Sequence, residues 1–287
     1  MSEPRTVLKY SQWDWVPAIA ALIHFAGLMA FLLAFPALSW PAAIACGLLY
    51  SISVSWSINS ISHNFLHNPY FQSEGLNTLF SYLLSLTIGF SQAMYTYVHM
   101  RHHSGNSDLP NAQGNTVDYL SIYKHGHDGQ PENVWSYVFL GYFRDDPGEI
   151  LARMAEKQPE EARQARRELT ALVIFCAILA LFNWKFVLFI IPFNYFGQCL
   201  SQLNGYYEHY GANPDKPIAW GVSTYDRLYN WTWMNNGYHA EHHYRPKMHW
   251  TKMPELHRDI AEQQRKEGVR VIVPPHALGF MDPNLPR

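Results

Sequence analysis

The chain is poor in cysteine and in charge. Its three cysteines, Cys46, Cys176 and Cys199, all fall inside apolar stretches and form no CxxC pair. That excludes a disulfide framework, a zinc ribbon and an internal rubredoxin-type or iron–sulfur centre. Charged residues make up only 15% of the 287 positions and the formal net charge is −2, so nothing points to a nucleic-acid partner. A dinucleotide fingerprint of the Gly-x-Gly-x-x-Gly type is missing, as is any low-complexity segment. No cleavable signal peptide is expected, because the first apolar run, from Val16, is long enough to span a bilayer rather than be removed.

Apolar residues are plentiful, but they are concentrated. The mean hydropathy of −0.18 averages two populations, apolar blocks and polar aromatic stretches. Residues 16–35 form a twenty-residue run without charge, the length a bilayer demands. A second span is predicted at 42–61, rich in Ser and small residues that let helices pack closely in lipid. The block from Leu169 to Gln202 is too long for one crossing and carries its only charge mid-way, at Asn183-Trp184-Lys185. It reads as a helical hairpin with spans at about 166–182 and 186–204. The stretch 79–98 is apolar but holds Ser81, Ser85, Thr87, Ser91 and Gln92. Between the spans lie 99–165, with a charged helical run from Glu149 to Glu168, and after them 205–287, with another charged helix near Pro254 to Glu267. The fold class expected is an all-α integral membrane protein: one domain over 1–287, four transmembrane helices and a cytoplasmic helical cap holding a His-rich di-metal site.

Fifteen histidines are present, and eight of them fall into three clusters: His63 and His67; His99, His102 and His103; His239, His242 and His243. Spacings of i, i+3 and i+4 place the rings of each cluster on one helix face. Imidazole is the commonest metal-ligating side chain, and eight of them are enough for two ions. His209, just past the last predicted span, is a ninth candidate. If all share one site, the chain crosses the membrane an even number of times between clusters, so 79–98 is interfacial or re-entrant. Of 21 basic residues only Lys185 falls on the opposite side. The positive-inside rule then puts both termini and the clusters in the cytoplasm; the expected membrane is a bacterial inner one.

A zinc protease would show His-Glu-x-x-His, but Asn64, Met100 and Ala240 stand where its general base belongs. Zinc also needs fewer ligands than this set offers. A nitrogen-rich set with open positions suits iron, and an iron pair can turn O2 on an unreactive C–H bond, chemistry beyond any side chain. A zinc-dependent membrane hydrolase and a non-catalytic metal-bearing membrane protein are the competing classes.

The other histidines read differently. His24 is expected as a hydrogen-bonded core residue, and His125 and His127 as loop residues with an outside chance of touching the site. His249, His257 and His276 read as surface or supporting residues. Asp108, Asp118, Asp226, Glu208 and Glu241 are candidates to orient imidazoles, with Arg227 and Arg245 as ambiguous neighbours. The aromatic run Tyr225 to Tyr238, with Trp231 and Trp233, is expected to pack against the fourth span or, equally, to wall a channel for an acyl chain.

HxxxH at 63–67 and HxxHH at 99–103 and 239–243, interleaved with four spans, resemble the membrane fatty-acid desaturase/hydroxylase superfamily, which also holds alkane hydroxylases and carotenoid ketolases. The resemblance runs from the first span to about Pro254. His209 lies where acyl-CoA desaturases place an isolated ninth ligand; those enzymes carry Asn four residues before it, whereas this chain has Gly205 there and Asn204 one step away. The stretch from Tyr244 to Trp250 looks like that of bacterial members acting on acyl chains. The resemblance implies a non-haem di-iron enzyme, with O2 as co-substrate and His63, His67, His99, His102, His103, His209, His239, His242 and His243 as metal ligands. It implies no catalytic side chain beyond them. Desaturation of a fatty-acyl or related lipid chain is preferred; hydroxylation, ketolation and decarboxylation to a terminal alkene are the alternatives within the superfamily. A haem-binding His-Pro-Gly-Gly motif is missing, so the electrons are expected from a separate ferredoxin- or rubredoxin-like protein.

Overall fold

A computed structural model describes residues 6–104, 109–111 and 116–286. Asp108, one of the candidate carboxylates, lies outside the described residues. About 70% of the chain is helical, and the described residues hold no strand beyond two isolated bridges, Leu8 with Phe71 and Ser223 with Val271. Two compact units are built from alternating stretches: Met1–Tyr95 with Pro147–Gln198, and Thr96–Asp146 with Cys199–Arg287.

The first unit is the apolar one. Helix α1 (Trp15–Ala34) and helix α2 (Trp40–Trp56) are joined by a tight turn in which Pro36 and Pro41 stop one helix and start the next. After α2 the helix widens into a π turn over Ser57–Ser62, then resumes as α3 (His63–His67). Side chains satisfy carbonyls along this irregular turn: Asn59 Nδ2 donates to Ser55 O at 2.9 Å and the Tyr70 hydroxyl to Ile61 O at 2.8 Å. Helix α4 (Glu74–Ile88) ends at Gly89, whose φ of 85° is left-handed, and α5 (Gln92–His102) follows. The apolar stretch 79–98 is therefore two helices with a break. Likewise the charged run from Glu149 to Glu168 is split into α7 (Pro147–Lys157) and the start of α8 (Pro159–His209), because a residue before proline is pushed out of helical backbone. Between α5 and α7 in sequence order, α6 (Val134–Leu140) belongs to the second unit.

Among the described residues, three helical stretches are long and apolar enough to cross a membrane: Gln12–Ala37, Trp40–His67 and Pro159–His209. The third is not one rod. Asn183 leaves helical backbone at φ −159°, ψ 87°, and its side-chain oxygen accepts from Phe186 N at 3.2 Å, capping a new start. Both arms reach the same few residues. Glu168 accepts from Ser91 Oγ at 2.6 Å and Ala93 N at 2.9 Å, while Asn194 and Gln198 donate to Ile88 O at 3.1 and 2.8 Å. A straight helix would set residues 168 and 194 about 39 Å apart at 1.5 Å per residue. Residues 88–93 can bridge at most about 18 Å. The element folds back on itself, as its mid-block turn residues predict.

The arms pack on α1 and α2 through interlocked rings, with Phe31 edge-on to Phe186 at 5.3 Å and Phe35 against Phe189 at 4.9 Å. Gly197 lets the second arm touch α2: a Cβ there would meet Val54 Cβ at 2.7 Å and Ser51 O at 2.8 Å. His24 is a packed residue as expected, its Nε2 2.8 Å from Ser53 Oγ. Glu168 is fully buried and takes four donors, the Ser81 and Ser91 hydroxyls, the Gln164 amide and Ala93 N. A carboxylate at the start of α5 also meets the positive end of that helix.

The second unit has shorter elements: α6, α9 (Arg227–Thr232), α10 (His239–Tyr244) and α11 (Met253–Glu267), together with the far ends of α5 and α8. The aromatic run 225–238 does not pack as a block. Tyr229 is buried and donates to Asn204 Oδ1 on α8 at 3.0 Å, but Trp231 is 82% exposed. A six-residue helix has two faces, and only one meets α8.

Glu168→Ala strands two hydroxyls and a helix-start N–H at once. The expected loss is about 3 kcal/mol or more, read as a lowered unfolding midpoint in detergent, with Glu168→Gln losing less because one acceptor oxygen remains.

Candidate metal centre

Three helix segments of the second unit deliver imidazoles: the last turn of α5, the end of α8 and all of α10. His102, His209, His239 and His243 are each at least 96% buried, and one ring nitrogen from each lies within 4.8 Å of the others. The Nε2 atoms of His102 and His243 are 3.2 Å apart, and those of His209 and His239 are 3.0 Å apart. Beside them, His103 Nε2 lies 2.9 Å from His99 Nε2 and 3.0 Å from His242 Nε2. In the first unit His63 and His67 stand at the two ends of α3, with ring centroids 5.2 Å apart.

The donor set fits a metal. An ion about 2.1 Å from each of four nitrogens spreads them about 3.4 Å apart in a tetrahedron. Burial holds His243 well below the ordinary imidazole range, with the neighbouring rings adding to the depression, so it is neutral and offers a lone pair at pH 7. His102 has its tautomer fixed: Nδ1 is 2.8 Å from Asp118 Oδ2, which leaves Nε2 as the ligating nitrogen. Asp118 is itself buried, and its other oxygen accepts from Leu120 N at 2.7 Å.

Behind His209 and His239 runs a buried polar network. Glu208 Oε1 accepts from Asn204 Nδ2 and Asn236 Nδ2, both at 2.7 Å, and lies 3.8 Å from Nδ1 of His239 and of His276. Asn236 Nδ2 also donates to the Tyr229 hydroxyl at 2.9 Å. His276 is fully buried, its Nε2 2.9 Å from Val222 O, and burial pushes its pKa down to about 3. Asn236 and His276 were legible only weakly: the first stands three residues before His239, and the second has no histidine at ligand spacing.

Glu241 serves a different ring from the one its neighbours suggest. It accepts from Ser223 Oγ at 2.7 Å, Tyr225 Oη at 2.8 Å and His257 Nδ1 at 2.7 Å. Burial works to raise its pKa, but these donors carry it below the ordinary carboxylate range, and the same bond raises His257. Ser223 Oγ in turn accepts from Ala240 N at 3.0 Å, so α10 is clamped to the 223–225 segment and to α11. Gly221 leaves room for this: a Cβ there would meet His239 Cδ2 at 2.9 Å and Ala240 N at 3.0 Å.

The remaining candidates sit elsewhere. His125 and His127 are exposed. His249 accepts from Thr251 N and caps a short turn at Trp250–Lys252. Asp226 caps α9 through Tyr229 N at 2.7 Å, and Arg245 lies over the Tyr244 ring.

The sequence profile of the family described as "Fatty acid desaturase" matches residues 38–275. The chain belongs to the fatty acid desaturase family. Among curated relatives, a "Sphingolipid delta(4)-desaturase" of Candida albicans is 26% identical over 251 residues, covering 79% of this chain and 64% of that protein. A "Sphingolipid delta(4)-desaturase DES1-like" protein of Oryza sativa subsp. japonica is 22% identical over 236 residues, covering 78% and 66%. The chain thus spans just under two-thirds of the length of these relatives. No solved structure matches it.

Asp118→Asn keeps the shape of the side chain but removes the charge that orients His102. It is expected to weaken metal affinity about 10- to 100-fold in chelator competition. The Glu241–His257 pair carries a pH signature. Its raised imidazole contributes stability while protonated, and that contribution is lost as pH rises through the folded-state value. The unfolding midpoint of the parent is therefore expected to exceed that of His257→Gln most below the ordinary imidazole range and to converge with it as pH rises above that range.

Proposed function

We propose that the chain is a membrane lipid desaturase: an oxidoreductase that removes two hydrogens from an unactivated stretch of a fatty-acyl or related lipid chain with O2 as co-substrate. The carrying observation is the buried four-imidazole set of His102, His209, His239 and His243 in a member of this family. Nine histidines, these four with His63, His67, His99, His103 and His242, are assigned as ligands of two irons; His63 and His67 are included on the place of their box in the family pattern. When bound, the irons supply oxidation by O2, with electrons from a separate ferredoxin- or rubredoxin-like carrier.

The protein's own groups prepare that centre. The imidazoles gather their ring nitrogens inward, Asp118 fixes how the His102 ring points, and the Glu208 carboxylate lies 3.8 Å from Nδ1 of His239. Burial keeps bulk water from the ring nitrogens. In this reading the first and second helical stretches and the two arms of α8 make four crossings, the 79–98 stretch is interfacial or re-entrant, and the second unit faces the cytoplasm together with both termini. The substrate is an acyl chain of a fatty acid; the names of the curated relatives favour a sphingolipid as the second substrate to try. Hydroxylation of the same chain is the competing outcome, because one ligand set serves both reactions.

Purified protein is expected to carry about two irons per chain; one zinc would instead support a hydrolase or a structural site. Supplied with reductant, O2 and either fatty-acyl or sphingoid lipid, it is expected to yield a product lacking two hydrogens by mass spectrometry. A product gaining one oxygen would establish hydroxylation. His102→Ala and His242→Ala are each expected to abolish product while the protein stays in the membrane fraction, and turnover by either would remove that residue from the site.

A further inference from the structure

The second unit is the polar one, yet one of its faces is strongly apolar. Helix α6 and the turn after it run Val134-Trp135-Ser136-Tyr137-Val138-Phe139-Leu140-Gly141-Tyr142-Phe143. Tyr137 and Val138 point into the unit and are buried, while Trp135, Phe139, Leu140 and Phe143 are 51%, 42%, 52% and 69% exposed. The C-terminal turn extends the same face: the Phe280 ring lies 6.4 Å from Trp135, Trp135 stacks on Phe139 at 6.3 Å, and Met281 beside it is 64% exposed. Single exposed apolar residues need no explanation, but large rings joined ring to ring across two chain segments do.

The depth of this face is set by what α6 packs against. Tyr137 lies tilted against Tyr206 with ring centroids 5.4 Å apart, the Tyr206 hydroxyl donates to Glu132 O at 2.7 Å, and a Cβ on Gly141 would meet the Gln202 amide at 3.2 Å. Gln202 and Tyr206 mark the place where the second arm of α8 stops being apolar, after Leu200 and Leu203. A helix docked there sits at the level of lipid headgroups, where Trp, Tyr and Phe side chains partition. Arg144, held at the end of the segment by Glu132 and by Ser136 Oγ at 2.8 Å, supplies a cation at the same level.

We propose that the exposed face of Trp135, Phe139, Leu140, Phe143, Phe280 and Met281 is seated in the bilayer interface, so that the unit carrying the His102–His209–His239–His243 set is embedded in the lipid surface. The inference rests on the reading that the second arm of α8 crosses the membrane. Seating of this kind follows from buried apolar area rather than from charge, because the segment is an apolar helix with a polar inner edge. It holds the unit against the phase in which a lipid substrate is dissolved.

The test places nitroxide labels one at a time at Phe143→Cys, Leu188→Cys and Glu262→Cys, in full-length protein with Cys46, Cys176 and Cys199 changed to Ala and reconstituted in phosphatidylcholine–phosphatidylglycerol nanodiscs. Leu188, exposed near the start of the second α8 arm five residues after the Asn183 turn, reports the crossing; Glu262, exposed on α11, reports water. The label at position 143 is expected to collide with O2 much as at 188, and with a water-soluble nickel chelate at least about fivefold less than at 262. If 188 is lipid-exposed and 143 matches 262, the seating is overturned and the crossing stands. If 188 itself matches 262, the crossing fails and the seating falls with it. A label at 143 shielded from both reagents and dipole-broadened by a second copy would assign the face to self-association and overturn the proposal. Should the cysteine-free background lose its iron, p-benzoylphenylalanine at position 143 of the otherwise native chain reads the same contact. Photocrosslinking to lipid supports the seating, and crosslinking to protein or none overturns it.

Discussion

Four imidazoles buried within 4.8 Å of one another set the terms for the unit that holds them. Each neutral ring has one N–H and one lone pair, and two Nε2 atoms 3.0 to 3.2 Å apart can share at most one proton. Protonating more rings would leave like charges side by side in a place water does not reach. The arrangement is therefore costly for the chain by itself, and a cation at its centre would offset that cost and couple metal affinity to the folding of this unit.

Much of the surrounding structure serves to hold the rings in place. Each helix segment that delivers ligands in the second unit has a buried carboxylate attached: Asp118 on His102 of α5, Glu208 beside His209 of α8, and Glu241 inside α10. Their jobs differ. Asp118 orients a ligand ring directly, Glu208 gathers two asparagines behind His239, and Glu241 never touches a box imidazole but ties α10 to Ser223, Tyr225 and His257. Glu168 does for the start of α5 what Asp118 does for its end, taking Ser91 Oγ and Ala93 N just after the chain breaks at Gly89. A buried carboxylate is tolerable only with several donors, and each of these has them.

The ligand candidates could be read from the sequence because same-face spacing is a local property: i, i+3 and i+4 rings stay together whatever the tertiary fold. The reversal at Asn183 was legible for the same reason, since one polar turn interrupts an apolar block too long for a single crossing. Asp118 could be nominated but not singled out from Asp108 and Asp226, because its partner lies sixteen residues away across a loop. Glu241 misled by proximity: placed between ligands in sequence, it points to the opposite side of a short helix. The break at Gly89 and the π turn at Ser57–Ser62 left no clear apolar signal, because both sit inside stretches that stay apolar on either side.

The clustered imidazoles also fall at a particular place on their helices. Helix α5 ends at His102 and α8 ends at His209, so in both the ring belongs to the last turn. The carbonyls of that turn lack intrahelical donors and carry the negative end of the helix dipole. A helix C-terminus favours a nearby cation, so placing imidazoles in the last turns of α5 and α8 lets the backbone and the side chains work in the same direction.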